Sequence, residues 1–175
     1  MKRIVLAVLA ATVAGTFAMA QSPTGGASAT AKMAGADGAD AGTVTFTQTP
    51  SGILHVIVEM TNLAPGSHGF HIHEKGACDA AGNFESAGGH YAGGKEHGVM
   101  NPKGPHAGDF PNVHVGDNGV LKAEFFTERL SLGEGGENPL MDTDGSAVVL
   151  HADPDDYQSH PAGHAGNRIA CGVIE

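Results

Sequence analysis

The sequence predicts an all-β fold, a Greek-key barrel or sandwich of about eight antiparallel strands with two long functional loops. Three observations carry this. Short β-prone segments alternate apolar and polar residues, turn clusters punctuate them, and no long segment keeps a 3.6-residue apolar period. Composition agrees, with 27 glycines and no tryptophan in 175 residues.

Thr43 to Thr47 is rich in β-branched residues. In Leu54 to Met60, the side chains of Leu54, Val56, Val58 and Met60 fall on one face of a strand, because side chains alternate with period two. Val120 to Phe126 and Ser146 to His151 read as further strands. Turn signals lie at Gly35–Gly38, Pro50–Gly52, Pro65–Gly66 and Asp117–Gly119. Gly76 to Asp109 does not fit this scheme. A stretch of that length without period inside a compact domain is usually functional or disordered, and its histidines favour function.

The N-terminus reads as a separate unit. Met1-Lys2-Arg3, an apolar run from Ile4 to about Phe17 and the small-x-small site Ala18-Met19-Ala20 make a secretory signal peptide over 1–20; an uncleaved anchor is the alternative. Residues 21–27 then form a small, polar, disordered linker, and 28–175 the single folded domain. Loss of Lys2 and Arg3 takes the formal charge from −10 to −12. A chain so acidic is expected to avoid nucleic acid, and once cleaved to have no membrane segment. The periplasm or the extracellular space is the expected compartment. Two cysteines, Cys78 and Cys171, read there as one disulfide, worth about 4–5 kcal/mol at most in the chain-entropy description; two free buried thiols are the alternative.

Eleven histidines are unusual for this length and are unevenly placed. His71-Ile72-His73 puts two imidazoles on one strand face. His90, His97 and His106 follow, with Asp109 three residues after the last, and His151 ends the apolar run Val148–Leu150. Three imidazoles and a carboxylate complete a closed tetrahedral zinc shell. His71, His73 and His151 offer an imidazole-rich site with room for another ligand, which suits a redox copper, although spacing alone does not separate copper from zinc. His68 reads as a hydrogen-bonded packing residue, His55 and His114 as outward-facing strand residues. His160 and His164 lie in the second loop, Asp156 to Asn167.

Gly69 to Glu74 and Gly166 to Ile174 resemble the two signature segments of the copper,zinc superoxide dismutase family, and Ser86 to Tyr91 and Gly104 to Asp109 follow its pattern in order. The resemblance covers about 28–175 and is similar to the secreted bacterial branch. It implies a first strand at Ala29 to Met33. It also implies copper at His71, His73, His90 and His151, zinc at His90, His97, His106 and Asp109, and His90 shared between them. It assigns Arg168 to the substrate channel and makes Asp155 the carboxylate linking His71 to His97. It likewise implies a disulfide between Cys78 and Cys171 and superoxide as the substrate. A homodimer is compatible with it. Two other readings fit the histidine count: a copper or zinc storage protein, and a relative without activity. Lys75, Lys95 and Lys103 on the long loop are candidates to add to the positive field around Arg168.

Overall fold

The computed structural model describes residues 26–133 and 135–175. The expected signal peptide and residues 21–25 of the expected linker lie outside them. Among the described residues there are nine strands: β1 Ser28–Gly35, β2 Asp40–Gln48, β3 Leu54–Met60, β4 Gly66–His68, β5 Phe70–His73, β6 Val113–Val115, β7 Leu121–Thr127, β8 Ala147–His151 and β9 Arg168–Val173. Seven form one curled antiparallel sheet in the order β5-β8-β9-β1-β2-β3-β7, and β4 pairs with β6 in a small second sheet. The strands read from the sequence are present to within a few residues at their ends. β4 and β6, three residues each, are too short to leave a periodic trace.

Alternation dictates the core. Val44 and Phe46 of β2 and Leu54, Val56, Val58 and Met60 of β3 are buried, in a register that sets Val56 opposite both Phe46 and Phe125. Ala31 and Met33 of β1, Phe70 and Ile72 of β5, and Val148 and Leu150 of β8 point into the same core.

β5 and β8 are buried on both faces, which is how the fold positions its site. Phe70 and Ile72 face the barrel core, so His71 and His73 face the other way. Val148 and Leu150 likewise send Ala147, Val149 and His151 outward. The long loop covers that outer face: Phe84 and Ala87 pack on Ala147, Val149 and Cys171 in a second apolar cluster. The Cys78–Cys171 disulfide, with Cα atoms 5.7 Å apart, ties the loop to β9. Two outward histidines behave differently from each other. His114 is exposed, as expected. His55 is not simply solvated, because its Nε2 lies 2.6 Å from Glu124 Oε1 and its ring stacks on Phe126.

Candidate metal centre

Strand register assembles the first ligands. His71 sits opposite Val149 in β8, and His151 sits opposite Arg168 in β9. Isolated bridges join His73 to His90 and His71 to Asp109, so the long loop's ligands are stitched directly onto β5. Two four-residue groups result. His71, His73, His90 and His151 form one and His90, His97, His106 and Asp109 the other. All are buried, the donor atoms within each group lie within 4.8 Å of one another, and His90 belongs to both.

Hydrogen bonds fix the tautomers. His71 donates from Nε2 to Asp155 Oδ2 at 2.8 Å, His73 from Nδ1 to the Gly88 carbonyl at 3.0 Å, and His151 from Nδ1 to the Gly166 carbonyl at 3.3 Å. The opposite nitrogens therefore present lone pairs. Those atoms, His71 Nδ1, His73 Nε2 and His151 Nε2, are buried without any hydrogen-bond partner, as is His90 Nε2. A buried polar atom without a partner is costly, and four converging on one point fit a nitrogen-loving cation such as copper.

The second group is centred on a carboxylate. Asp109 Oδ1 lies 3.0 Å from His90 Nδ1, 3.2 Å from His97 Nδ1 and 3.3 Å from His106 Nδ1. A tetrahedron with bonds of about 2.0–2.1 Å has edges of about 3.3 Å, so these separations fit zinc. Asp109 Oδ2 accepts from the backbone N–H groups of Gly98 and His106 and lies 3.1 Å from His97 Nδ1, so Oδ1 is the oxygen within reach of all three rings.

Asp155 joins the two groups, because its Oδ1 accepts from His97 Nε2 at 3.0 Å while Oδ2 holds His71. Residues that sequence reasoning missed hold Asp155 in turn. Asn112 clamps its backbone, donating from Nδ2 to the Asp155 carbonyl at 2.9 Å and accepting from the Asp155 N–H at 2.8 Å. Gly163, at φ +63°, leaves the space into which a Cβ would drive against Asp155 Oδ1 and His97 Nε2. On the opposite side of Asp109, Arg129 donates to its main-chain carbonyl. Asn112 and Arg129 lie 43 and 20 residues from their partners, Gly163 lies in the second loop, which follows Asp155, and none of the three carries a motif. His68 packs as expected, its ring nitrogens 2.8 Å from the His151 carbonyl oxygen and 3.0 Å from that of Ala64.

An open cleft leads to the first group. His73, His90 and His151 line it with Arg168 and Glu85. Arg168 donates from Nη1 to the Phe84 carbonyl and from Nη2 to the Gly88 carbonyl, both at 2.7 Å, which aims a permanent cation beside the unpartnered nitrogens. The long-loop lysines do not line this cleft. Lys103 instead pairs with Glu96, and Lys95 lines a separate hollow with Arg129 and Glu137. His160 and His164 do not line it either, and His164 pairs with Asp156.

The match to the copper/zinc superoxide dismutase family spans residues 40–174. The chain belongs to the copper/zinc superoxide dismutase family. The superoxide dismutase [Cu-Zn] of Caulobacter vibrioides is 46% identical over 85% of this chain and 86% of its own length. Superoxide dismutase [Cu-Zn] 1 of Aquifex aeolicus is 48% identical over 73% of this chain and 76% of its own. The crystal structure of a SOD-like protein from Bacillus subtilis superposes with a TM-score of 0.79 at 38% identity, over 83% of this chain and 97% of that one. The chain is accordingly a superoxide dismutase with copper and zinc as cofactors, and its fold is that of the family.

Burial governs the titration of the ligands in the metal-free protein. It lowers His73 well below the usual imidazole range, His90 to about 4 despite its bond to Asp109, and His151 to about 3. Burial opposes charge on His97 as well, but hydrogen bonds to Asp109 and Asp155 outweigh it and raise that imidazole to about 9. Burial also works against the charged Asp109, yet hydrogen bonds from His106, His90 and His97 hold its carboxyl far below the carboxylate range.

Two outcomes follow. Below pH 6.5 the unfolded chain takes up protons that His73, His90 and His151 refuse while folded, so acidification favours unfolding; the stability His97 contributes is instead lost as pH rises toward 9. Denaturation of metal-stripped protein is expected to show at least about 2 kcal/mol lost between pH 6.5 and 4, and a rise in stability over that window would contradict it. Asp155→Ala is expected to weaken metal binding by about 10- to 100-fold in chelator competition.

Proposed function

We propose that His71, His73, His90 and His151 hold the copper, that His90, His97, His106 and Asp109 hold the zinc, and that Arg168 binds the superoxide anion between solvent and copper. The partnerless, inward-facing nitrogens of four buried imidazoles are the observation that supports this assignment best. The net reaction turns two superoxide ions and two protons into dioxygen and hydrogen peroxide. Copper, which alternates between two oxidation states, supplies the one-electron chemistry.

The chain supplies position, charge and protons. Two of the five guanidinium N–H groups of Arg168 are committed to the Phe84 and Gly88 carbonyls, which leaves the others for an anion. The Gly88 carbonyl also accepts from His73, so one backbone atom fixes both the anion-binding cation and a copper ligand. His90 has Nδ1 turned to Asp109 and Nε2 turned to the other group. We assign Nε2 as the atom that takes a proton in one half of the cycle and returns it to the peroxide in the other. Asp155, held by Asn112, keeps His71 and His97 in fixed relative orientation. A storage protein has no use for a clamped arginine at the mouth of its site, and a relative without activity has no need of both ligand groups complete.

Copper- and zinc-loaded protein is expected to remove superoxide, and zinc-only protein to be inactive. In the loaded protein, Arg168→Ala is expected to lower the rate at least about tenfold and to flatten its dependence on ionic strength. Wild-type activity in that variant would remove Arg168 from the mechanism.

The first 20 residues are proposed to direct export, 21–27 to link, and 28–175 to form the enzyme outside the cytoplasm. The basic start, the apolar run and the small-x-small site support this, as does the disulfide. Mass spectrometry of the exported protein is expected to find Gln21 at its N-terminus, and an intact residue 1 would contradict cleavage.

A further inference from the structure

The guanidinium in the cleft has a carboxylate beside it. Glu85 Oε2 lies 3.5 Å from Arg168 Nη2, and Glu85 lines the same cleft as His73, His90 and His151. Its placement follows from the clamp on Arg168. Glu85 opens a single 3-10 turn, Glu85–Ala87, and the two carbonyls that accept from Arg168 belong to Phe84 and Gly88, the residues flanking that turn. Phe84 is buried against Cys171 and Val149 in the apolar cluster under the loop. The backbone that carries the carboxylate is therefore the backbone that grips the guanidinium, and it is anchored on both sides. The Glu85 backbone stays beside Arg168 while the clamp holds, and only rotation of the exposed side chain moves the carboxylate away.

No other side chain of the cleft changes this balance. Its remaining walls, among them Asn83, Pro161, Ala162, Asn167 and Ile169, are uncharged. Apart from the bound metal ions, Arg168 is the one permanent cation lining the cleft among the described residues and Glu85 the one carboxylate, so these two side-chain charges cancel. On a protein of net charge −10, the Arg168–Glu85 pair therefore adds little at long range to the pull of the bound metal ions, and an anion feels the guanidinium only at close range. The Glu85 side chain is 75% exposed, which makes the pair with Arg168 a weak one that an anion can displace.

We propose that Glu85 sets the rate of the known reaction by competing with the incoming anion for Arg168: its carboxylate occupies the guanidinium between turnovers and lowers the affinity of the cleft for superoxide. This rests on the assignment of Arg168 as the anion-binding residue. Glu85 touches neither ligand group through a hydrogen bond, so it acts through Arg168 and through its own charge.

The test uses the copper- and zinc-loaded enzyme as wild type, Glu85→Gln, Glu85→Asp and Arg168→Gln. Two quantities are measured: the second-order rate of superoxide removal as a function of ionic strength, and the dissociation constant of azide by optical titration of the oxidised copper. Glu85→Gln keeps shape and removes charge at an exposed position. It is expected to raise the rate about threefold and tighten azide about threefold at low salt, the size expected for one exposed charge a few ångströms from the anion in a high dielectric. Both gains are expected to shrink above about 0.5 M salt, where the Debye length falls to about 4 Å. Glu85→Asp, which keeps the charge, is expected to stay within twofold of wild type in both measurements. An unchanged or slower Glu85→Gln enzyme, or an equal gain in Glu85→Asp, overturns the proposal provided Arg168→Gln is slow and binds azide weakly. Arg168→Gln at the wild-type rate with wild-type azide affinity overturns the assignment of Arg168, and the proposal with it.

Discussion

Four buried imidazole nitrogens with no hydrogen-bond partner point at one another across β5, β8 and the long loop. No group among the described residues hydrogen-bonds to them. Each ring spends its other nitrogen on a carboxylate or a carbonyl, which removes the freedom to flip and leaves the lone pairs facing inward. Such an arrangement is costly alone and favourable around a cation. The rest of the structure depends on it: the double burial of β5 and β8 exists because the loop must close over those rings, and the disulfide keeps it closed.

The carboxylates organise the pair of sites. Asp109 gathers three rings on one oxygen and two backbone N–H groups on the other. Asp155 spans from one group to the other and is itself gripped by Asn112. The two ligand groups are therefore coupled twice, through the shared ring of His90 and through the Asp155 link. A change in occupancy at one position reaches the other through two short rigid paths.

Much of this was legible in the sequence, for identifiable reasons. Period-two alternation in Leu54 to Met60 gave the core face directly, and the same rule put His71 and His73 together. The division of the ligands and the sharing of His90 were suggested only by the resemblance of four short segments, since the spacing of His90, His97 and His106 in an aperiodic loop fixes no geometry, whereas the disulfide was readable from the presence of just two cysteines. Contacts between distant loops left no mark. Asn112 and Asp155 are 43 residues apart, and an asparagine at such a position looks like any turn residue. Glu85 likewise reads as a solvated charge until the turn that carries it is seen clamped to Arg168. Which way the long-loop lysines face was hidden for the same reason, since an aperiodic loop conceals side-chain direction; none of them lines the cleft.

Sharing of one imidazole between two ions is the central claim, and magnetic resonance tests it most directly. With cobalt(II) in the zinc position and copper(II) in its own, the ring of His90 is expected to couple the two unpaired spins and largely abolish the copper signal, which returns when zinc replaces cobalt. A copper signal of full intensity beside bound cobalt would show that no ring joins the two ions and would contradict the account.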